Sequence, residues 1–191
     1  MPNDLYTATL DALAQNPVVP VLTLGDVDQA IEVGRKLSQK GYKVVETTLR
    51  IAGAVEAMKA MKAAYPDLLI GMGTVLTQKD VTSSLAAGAD FIVTPGTTPA
   101  LIEVLKSVNV PVFPAVATPS EAQTLYEAGF KYQKFFPAEV NGGMKALKAW
   151  SAPLPHIKFM PTGGVREDTY KNYLDLPNVF GVGGTWVAKA L

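Results

Sequence analysis

The chain has 191 residues, 17 basic and 17 acidic side chains, no cysteine and one histidine, His156. A net charge of zero leaves no basic surplus for a nucleic-acid backbone, and the lack of cysteine excludes disulfides, thiolate metal sites and a cysteine nucleophile. One histidine also excludes a His-dependent triad and a multi-histidine metal site, so acid–base work falls on carboxylates, lysines, tyrosines or water. The first residues carry no basic start and no long apolar run, so a signal peptide is not expected. No stretch of 18 apolar residues is present, so no membrane span is expected either. A cytoplasmic protein with a large core, folded as one domain over residues 1–191, is the expectation.

Residues 2–15 read as an extra N-terminal helix, with Leu5, Ala8, Ala12 and Leu13 available to plug the bottom of a barrel. Eight β-rich runs follow, at 18–24, 43–49, 68–75, 91–95, 110–117, 132–137, 157–161 and 179–186. Their starts lie roughly 19–26 residues apart, the spacing of a βα unit with short loops. Several runs are apolar on both faces, as in Phe91-Ile92-Val93, which suits parallel strands covered on two sides.

The segments between the runs read as helices. Val27, Ala30, Ile31, Gly34 and Leu37 share one face at helical spacing, as do Leu101, Val104, Leu105 and Val108. Thr98-Pro99 starts one helix, and the capping box Thr118-Pro119-Ser120-Glu121 starts another. Gly41, Gly88 and Gly129 each precede a run by a few residues and fit left-handed helix stops. Leu191 comes five residues after Trp186, so no eighth helix is expected in this chain.

Eight runs in regular βα alternation can close as a barrel or lie open as a doubly wound sheet. The first run is followed by Leu22-Thr23-Leu24-Gly25-Asp26, without the Gly-rich dinucleotide fingerprint of an open sheet. The expected fold is therefore an α/β (β/α)8 TIM barrel with an extra N-terminal helix. In such a barrel the site lies at the carboxyl ends of the strands.

Lys134 is the most informative residue there, set inside Tyr132-Gln133-Lys134-Phe135-Phe136-Pro137. Burial penalises an ammonium and favours the free amine, which attacks a ketone carbonyl. An ion-paired lysine with no chemistry is the equal alternative. Glu46, within Val44-Val45-Glu46-Thr47, is the only carboxylate inside a run. It fits a proton shuttle, a structural ion pair with Lys134, or both. Arg50 ends the second run, where its planar fork could hold a substrate carboxylate or form a surface ion pair. Thr74 and Thr94 add hydroxyls. Gly163-Gly164 and Gly183-Gly184-Thr185 come at the carboxyl ends of the seventh and eighth runs, the commonest phosphate site of these barrels, although ordinary tight turns would look the same. His156 falls at the opposite, structural end. The acidic residues outside the runs sit in loops and helix starts, so no metal set is expected.

Taken in order, Val45-Glu46-Thr47-Thr48-Leu49-Arg50, Gly71-Met72-Gly73-Thr74-Val75, Thr94-Pro95-Gly96, Lys134-Phe135-Phe136-Pro137-Ala138-Glu139, Pro161-Thr162-Gly163-Gly164 and Gly183-Gly184-Thr185-Trp186 resemble the 2-keto-3-deoxy-6-phosphogluconate (KDPG) and 4-hydroxy-2-oxoglutarate aldolase family. The resemblance runs from about Pro17 to Trp186. It implies a class I, Schiff-base aldolase, free of metal and cofactor, that splits a phosphorylated keto acid into pyruvate and glyceraldehyde 3-phosphate, the last step of the Entner–Doudoroff route. It implies Lys134 as imine-forming lysine and Glu46 as acid and base. It places Arg50 and Thr74 at the substrate carboxylate, Pro95 and Phe136 in the pocket, and Gly163, Gly164, Gly184 and Thr185 at the phosphate. It also implies a homotrimer. Ala115, Ala117, Ile51, Met72 and Thr185 depart from the family pattern; those at 51, 72 and 115 would narrow the pocket. The rival readings are the same chemistry on another keto acid, such as 4-hydroxy-2-oxoglutarate or a six-phosphate galactonate epimer, a phosphate-binding barrel isomerase using Glu46 without an imine, and a non-catalytic binding barrel.

Overall fold

A computed structural model describes residues 4–191. Helix α1 (Asp4–Gln15) leads into β1 (Val18–Leu22), α2 (Val27–Gln39), β2 (Val44–Thr48), α3 (Ala54–Ala64), β3 (Leu69–Gly73) and α4 (Gln78–Ala86). Then come β4 (Phe91–Val93), α5 (Pro99–Leu105), β5 (Val112–Phe113), β6 (Ala115–Val116), α6 (Pro119–Glu127) and β7 (Tyr132–Phe135). The chain continues through α7 (Gly143–Trp150), β8 (Lys158–Pro161), α8 (Tyr170–Leu174), β9 (Val182–Gly184) and α9 (Trp186–Lys189).

Local chemistry fixes the helix starts. Asp26 accepts the Gln29 N–H at 2.7 Å. Thr77 with Asp80, and Thr118 with Glu121, each form a complete capping box, so orphan N–H groups of α4 and α6 are satisfied. Thr98 caps α5, with Pro99 in its first turn. Gly41, Gly88 and Gly129 all carry positive φ, as the helix-stop reading requires.

All strand pairs are parallel, but they do not form a closed eight-stranded barrel. They form a curled six-stranded sheet, in the order β5-β4-β3-β2-β1-β9, and a three-stranded sheet, β6-β7-β8. The expected (β/α)8 TIM barrel is corrected on this point, and the cause lies at Pro114. The fifth run breaks there into β5, which pairs with β4, and β6, which pairs with β7. Proline has no N–H to give a ladder, though its carbonyl still accepts the Lys134 N–H at 2.9 Å, and on the β4 side the next N–H, of Ala115, goes to the Thr94 hydroxyl instead of a strand carbonyl. The second gap lies between β8 and β9, where single bridges, Phe159 with Val179 and Thr162 with Gly183, replace a ladder. After β9, where no helix was expected, the chain forms the four-residue α9.

The strands are buried on both faces, as their composition requires. The larger apolar cluster fills the space between helices and sheets, with Leu37, Met58, Met61, Ile92, Leu147 and Phe159 among its members. A second cluster joins Leu13 of α1 to Val19, Val44, Phe91, Val93, Phe113 and Met160. Leu13 thus plugs the strands from below, as its sequence position suggested. Ala8 does not share in this: it is exposed, and Thr9 is buried instead, its hydroxyl donating to the Leu5 carbonyl at 2.7 Å. Side chains on one face of a strand repeat every second residue. Glu46 therefore stands one layer above Val44, and Lys134 one layer above Tyr132. Among the described residues no helix is long and apolar enough to cross a membrane.

Candidate active site

The centre of the structure holds one ion pair. Lys134 Nζ, from β7, donates to Glu46 Oε1 at 3.1 Å and Oε2 at 3.4 Å, from β2. Their side chains are 3% and 1% exposed. The two strands lie in different sheets, so the pair spans the interior between them. Removing one partner of such a buried pair leaves an uncompensated charge, at a cost of about 3–5 kcal/mol. Lys134 Nζ also lies 5.2 Å from the centroid of the Phe136 ring, within cation–π range. The ion-pair alternative raised for Lys134 and Glu46 is therefore present in the structure, and it leaves an amine beside a carboxylate that can exchange a proton with it.

Gly73, the last residue of β3, makes room for this arrangement. A Cβ built there would collide with Glu46 Oε1 and lie 2.7 Å from its carboxyl carbon. Sequence reasoning placed Gly73 in a motif and gave it no role. The signal that could have found it is the register: Glu46 pairs with Gly71, so Gly73 stands one layer further along the same neighbouring strand.

Arg50 follows β2 and is exposed; among the described residues it makes no ion pair. Leu49 N–H donates to the Gly73 carbonyl at 2.9 Å, which brings the stretch leading to Arg50 beside the start of Thr74. Thr74 has φ of 60°, the one non-glycine with positive φ among the described residues. A β-branched residue held there is strained by about 1–3 kcal/mol, and such strain clusters at functional sites. Thr94 spends its hydroxyl inside the fold, accepting the Ala115 N–H and meeting the Thr97 hydroxyl, both at 2.9 Å. Pro95 beside it is half-buried.

Gly163 and Gly164, past β8, have φ of 92° and 83°, which admits glycine and few other residues. A Cβ on Gly163 would lie 3.1 Å from the Phe136 ring and from Pro137, so this turn abuts the segment that carries Lys134. The Gly183-Gly184 pair has a different packing reason. Gly183 faces the Thr162 side chain, and Gly184 lies under the Trp186 ring, which stacks on Tyr170 at 5.7 Å. Thr185 is exposed beside them. The structure thus brings Glu46, Lys134, Phe136 and Gly163 into one connected set, with Gly183 bridged to Thr162 beside it. Contacts of this kind do not join Arg50 or Pro95 to Lys134.

Two further side chains adjoin the Gly163-Gly164 turn and were given no role in the sequence. Glu139 lies against Gly164, and the Tyr173 hydroxyl donates to Glu139 Oε1. Burial, then the hydrogen bond and charge of Glu139, push the Tyr173 hydroxyl well above the usual tyrosine range. His156 is exposed and stacks on Tyr126 at 6.2 Å. A cavity of about 660 Å3 opens at the amino ends of the strands, lined by Tyr6, Lys106, Val110 and Phe130 among others. It contains neither Lys134 nor Glu46. The buried ion pair is the better mark of chemistry. Among the described residues no three His, Cys, Asp or Glu side chains gather as a metal-binding group.

The chain matches the family described as KDPG and KHG aldolase over residues 10–191. It is 39% identical to the 2-dehydro-3-deoxy-phosphogluconate aldolase of Pseudoalteromonas atlantica over 98% of this chain and 87% of that one. It is 37% identical to the KHG/KDPG aldolase of Escherichia coli, covering 96% of this chain and 86% of that one. Among solved structures it is similar to the KDPG aldolase of Legionella pneumophila, in which pyruvate was captured at low pH as a covalent carbinolamine. That likeness has a TM-score of 0.90 at 39% identity, over 93% of this chain and 86% of that one.

Proposed function

This chain belongs to the KDPG and KHG aldolase family, and we propose that it is a class I aldolase cleaving 2-keto-3-deoxy-6-phosphogluconate into pyruvate and glyceraldehyde 3-phosphate through an imine on Lys134. The observation that carries the reading is the buried Lys134 Nζ at 3.1 Å from Glu46.

That geometry, together with the family resemblance, supports the following mechanism. In its neutral form the Lys134 amine attacks the C2 ketone. Glu46, holding the proton that Lys134 gave up, protonates the new alkoxide, then takes a proton from the nitrogen and returns it to the hydroxyl, so the carbinolamine loses water and becomes a protonated imine. The C4 hydroxyl then gives its proton to Glu46 through a water, the C3–C4 bond breaks, and its electron pair flows into the imine. Glyceraldehyde 3-phosphate leaves, and an enamine remains on Lys134. A proton from Glu46 returns to C3, and water releases pyruvate from the lysine.

The surrounding residues hold the substrate. Arg50, exposed just after β2, clasps the C1 carboxylate. Phe136 and Pro95 wall the pocket. The backbone N–H groups of Gly163, Gly164, Gly184 and Thr185 take the phosphate, which needs no basic side chain. The protein works as one domain, as a homotrimer and in the cytoplasm; the family resemblance supports the trimer. The family also covers 4-hydroxy-2-oxoglutarate cleavage, and the same lysine and glutamate would serve that substrate.

The test is pyruvate release from each substrate, followed with a pyruvate-consuming dehydrogenase. Release from 2-keto-3-deoxy-6-phosphogluconate is expected, with a much lower kcat/KM for 4-hydroxy-2-oxoglutarate. The reverse order would make the unphosphorylated keto acid the substrate, and no release from either would end the aldolase reading.

A further inference from the structure

The turn after β7 and the loop after β8 are laced together. Ala138 N–H donates to the Thr162 carbonyl at 2.8 Å, and Glu139 N–H donates to the Gly163 carbonyl at 3.1 Å. The Glu139 side chain then lies across Gly164, where a Cβ would stand 2.6 Å from its Cβ and Cγ. Its carboxylate accepts the hydroxyl proton of Tyr173, a fully buried residue of α8. Gly143 lies close on the other side, since a Cβ there would stand 2.7 Å from the Tyr173 oxygen and 3.4 Å from both carboxylate oxygens of Glu139, which is otherwise exposed. One acidic side chain thus connects three pieces: the segment that carries Lys134, the Gly163-Gly164 turn, and the helix beyond that turn.

We infer that Glu139 and Tyr173 are a positioning pair that fixes the Gly163-Gly164 amides at a set reach from Lys134, and so sets the preference for a keto acid that ends in a phosphate. The inference rests on the aldolase reading above. A carboxylate beside an anion site is unfavourable unless its charge is engaged elsewhere. Tyr173 supplies that engagement, because its buried hydroxyl stays protonated and keeps donating. Glu139 also adds to the field at Arg166, whose raised pKa is caused chiefly by its hydrogen bond to Asp168. The backbone bonds alone would leave the turn free to pivot about Gly163 and Gly164, the two residues with the widest conformational freedom. The side-chain strut removes that pivot. A fixed turn lowers the ordering cost when phosphate binds, and the effect is felt by phosphorylated substrates alone.

The experiment compares Tyr173→Phe, Glu139→Ala and Glu139→Gln on 2-keto-3-deoxy-6-phosphogluconate and on 2-keto-3-deoxygluconate. For Tyr173→Phe and Glu139→Ala, KM for the phosphorylated substrate should rise roughly tenfold, while kcat/KM for the unphosphorylated one stays within about twofold. Glu139→Gln keeps an oxygen that accepts from Tyr173, so it should fall nearer the wild type. Tyr173→Phe deletes a single oxygen, and it decides the matter if Glu139→Ala fails to fold. Equal losses on both substrates, or no change on either, would overturn the inference. A wild-type protein with equal kcat/KM on both substrates would overturn the phosphate reading beneath it, and that result is seen before any variant is made.

Discussion

Gly73→Ala tests the geometry of the centre with one methyl group. Its Cβ would collide with Glu46 Oε1 and stand 2.7 and 2.8 Å from the next two side-chain atoms. Neither partner yields easily, because Gly73 is backbone in a strand paired with β2, and Glu46 is fully buried. Overpacking of this kind costs about 1–3 kcal/mol. For a chain of this size each kcal/mol lowers Tm by about 2–4 °C. The activity should suffer more, since the carboxylate must swing away from Lys134, and a displacement near 1 Å can cost about 10²-fold in rate. The assays are thermal unfolding and steady-state pyruvate release. A fall in kcat of about 10²-fold, with a Tm lower by several degrees, is expected. A variant with wild-type kcat and Tm would refute the claim that the space over Gly73 fixes Glu46.

Glu46→Gln should lower kcat by about 10²–10⁴-fold by removing the proton shuttle. It should also cost about 3–5 kcal/mol in urea unfolding, and the double variant Glu46→Gln/Lys134→Met should regain most of that stability with no activity; a further loss in the double variant would contradict the buried-pair account. Thr74→Gly relieves the positive φ, so its Tm should rise while KM increases through loss of the hydroxyl, whereas a lower Tm would show that no strain is held there. The Tyr173 hydroxyl has a raised pKa in the fold, so the stability it contributes is intact below its unfolded value near 10 and is lost as pH rises above that value. Unfolding midpoints should therefore fall above pH 10 more steeply for the wild type than for Tyr173→Phe; parallel curves would remove Tyr173 from the account.

Charge placement made the centre legible in the sequence. A lysine and a glutamate inside apolar strand-like runs must meet a partner or be neutralised, and each proved to be the other's partner. Helix starts and stops were legible because capping boxes and left-handed glycines are local chemistry. Strand pairing was not. The run at 110–117 is apolar throughout, and its pattern did not register that Pro114 divides the ladder between two sheets. Nor does an even βα rhythm show that the last strand meets β8 only through single bridges. At the N-terminal helix the apolar spacing identified Leu13, but it also chose Ala8 over Thr9, because a threonine can bury its hydroxyl on a carbonyl of the preceding turn. Gly73 and the Glu139–Tyr173 strut were missed for one shared reason. Their meaning lies in which side chain crosses which backbone, and that is set by register and by the docking of α8.

The central claim is that Lys134 forms the imine. Borohydride reduction in the presence of pyruvate, followed by intact mass and peptide mapping, tests it directly, with Lys134→Ala as control. The account predicts one reduced pyruvyl adduct on the peptide containing Lys134 and none on the control. A folded wild-type protein with no adduct, or with its adduct on another lysine, would contradict it.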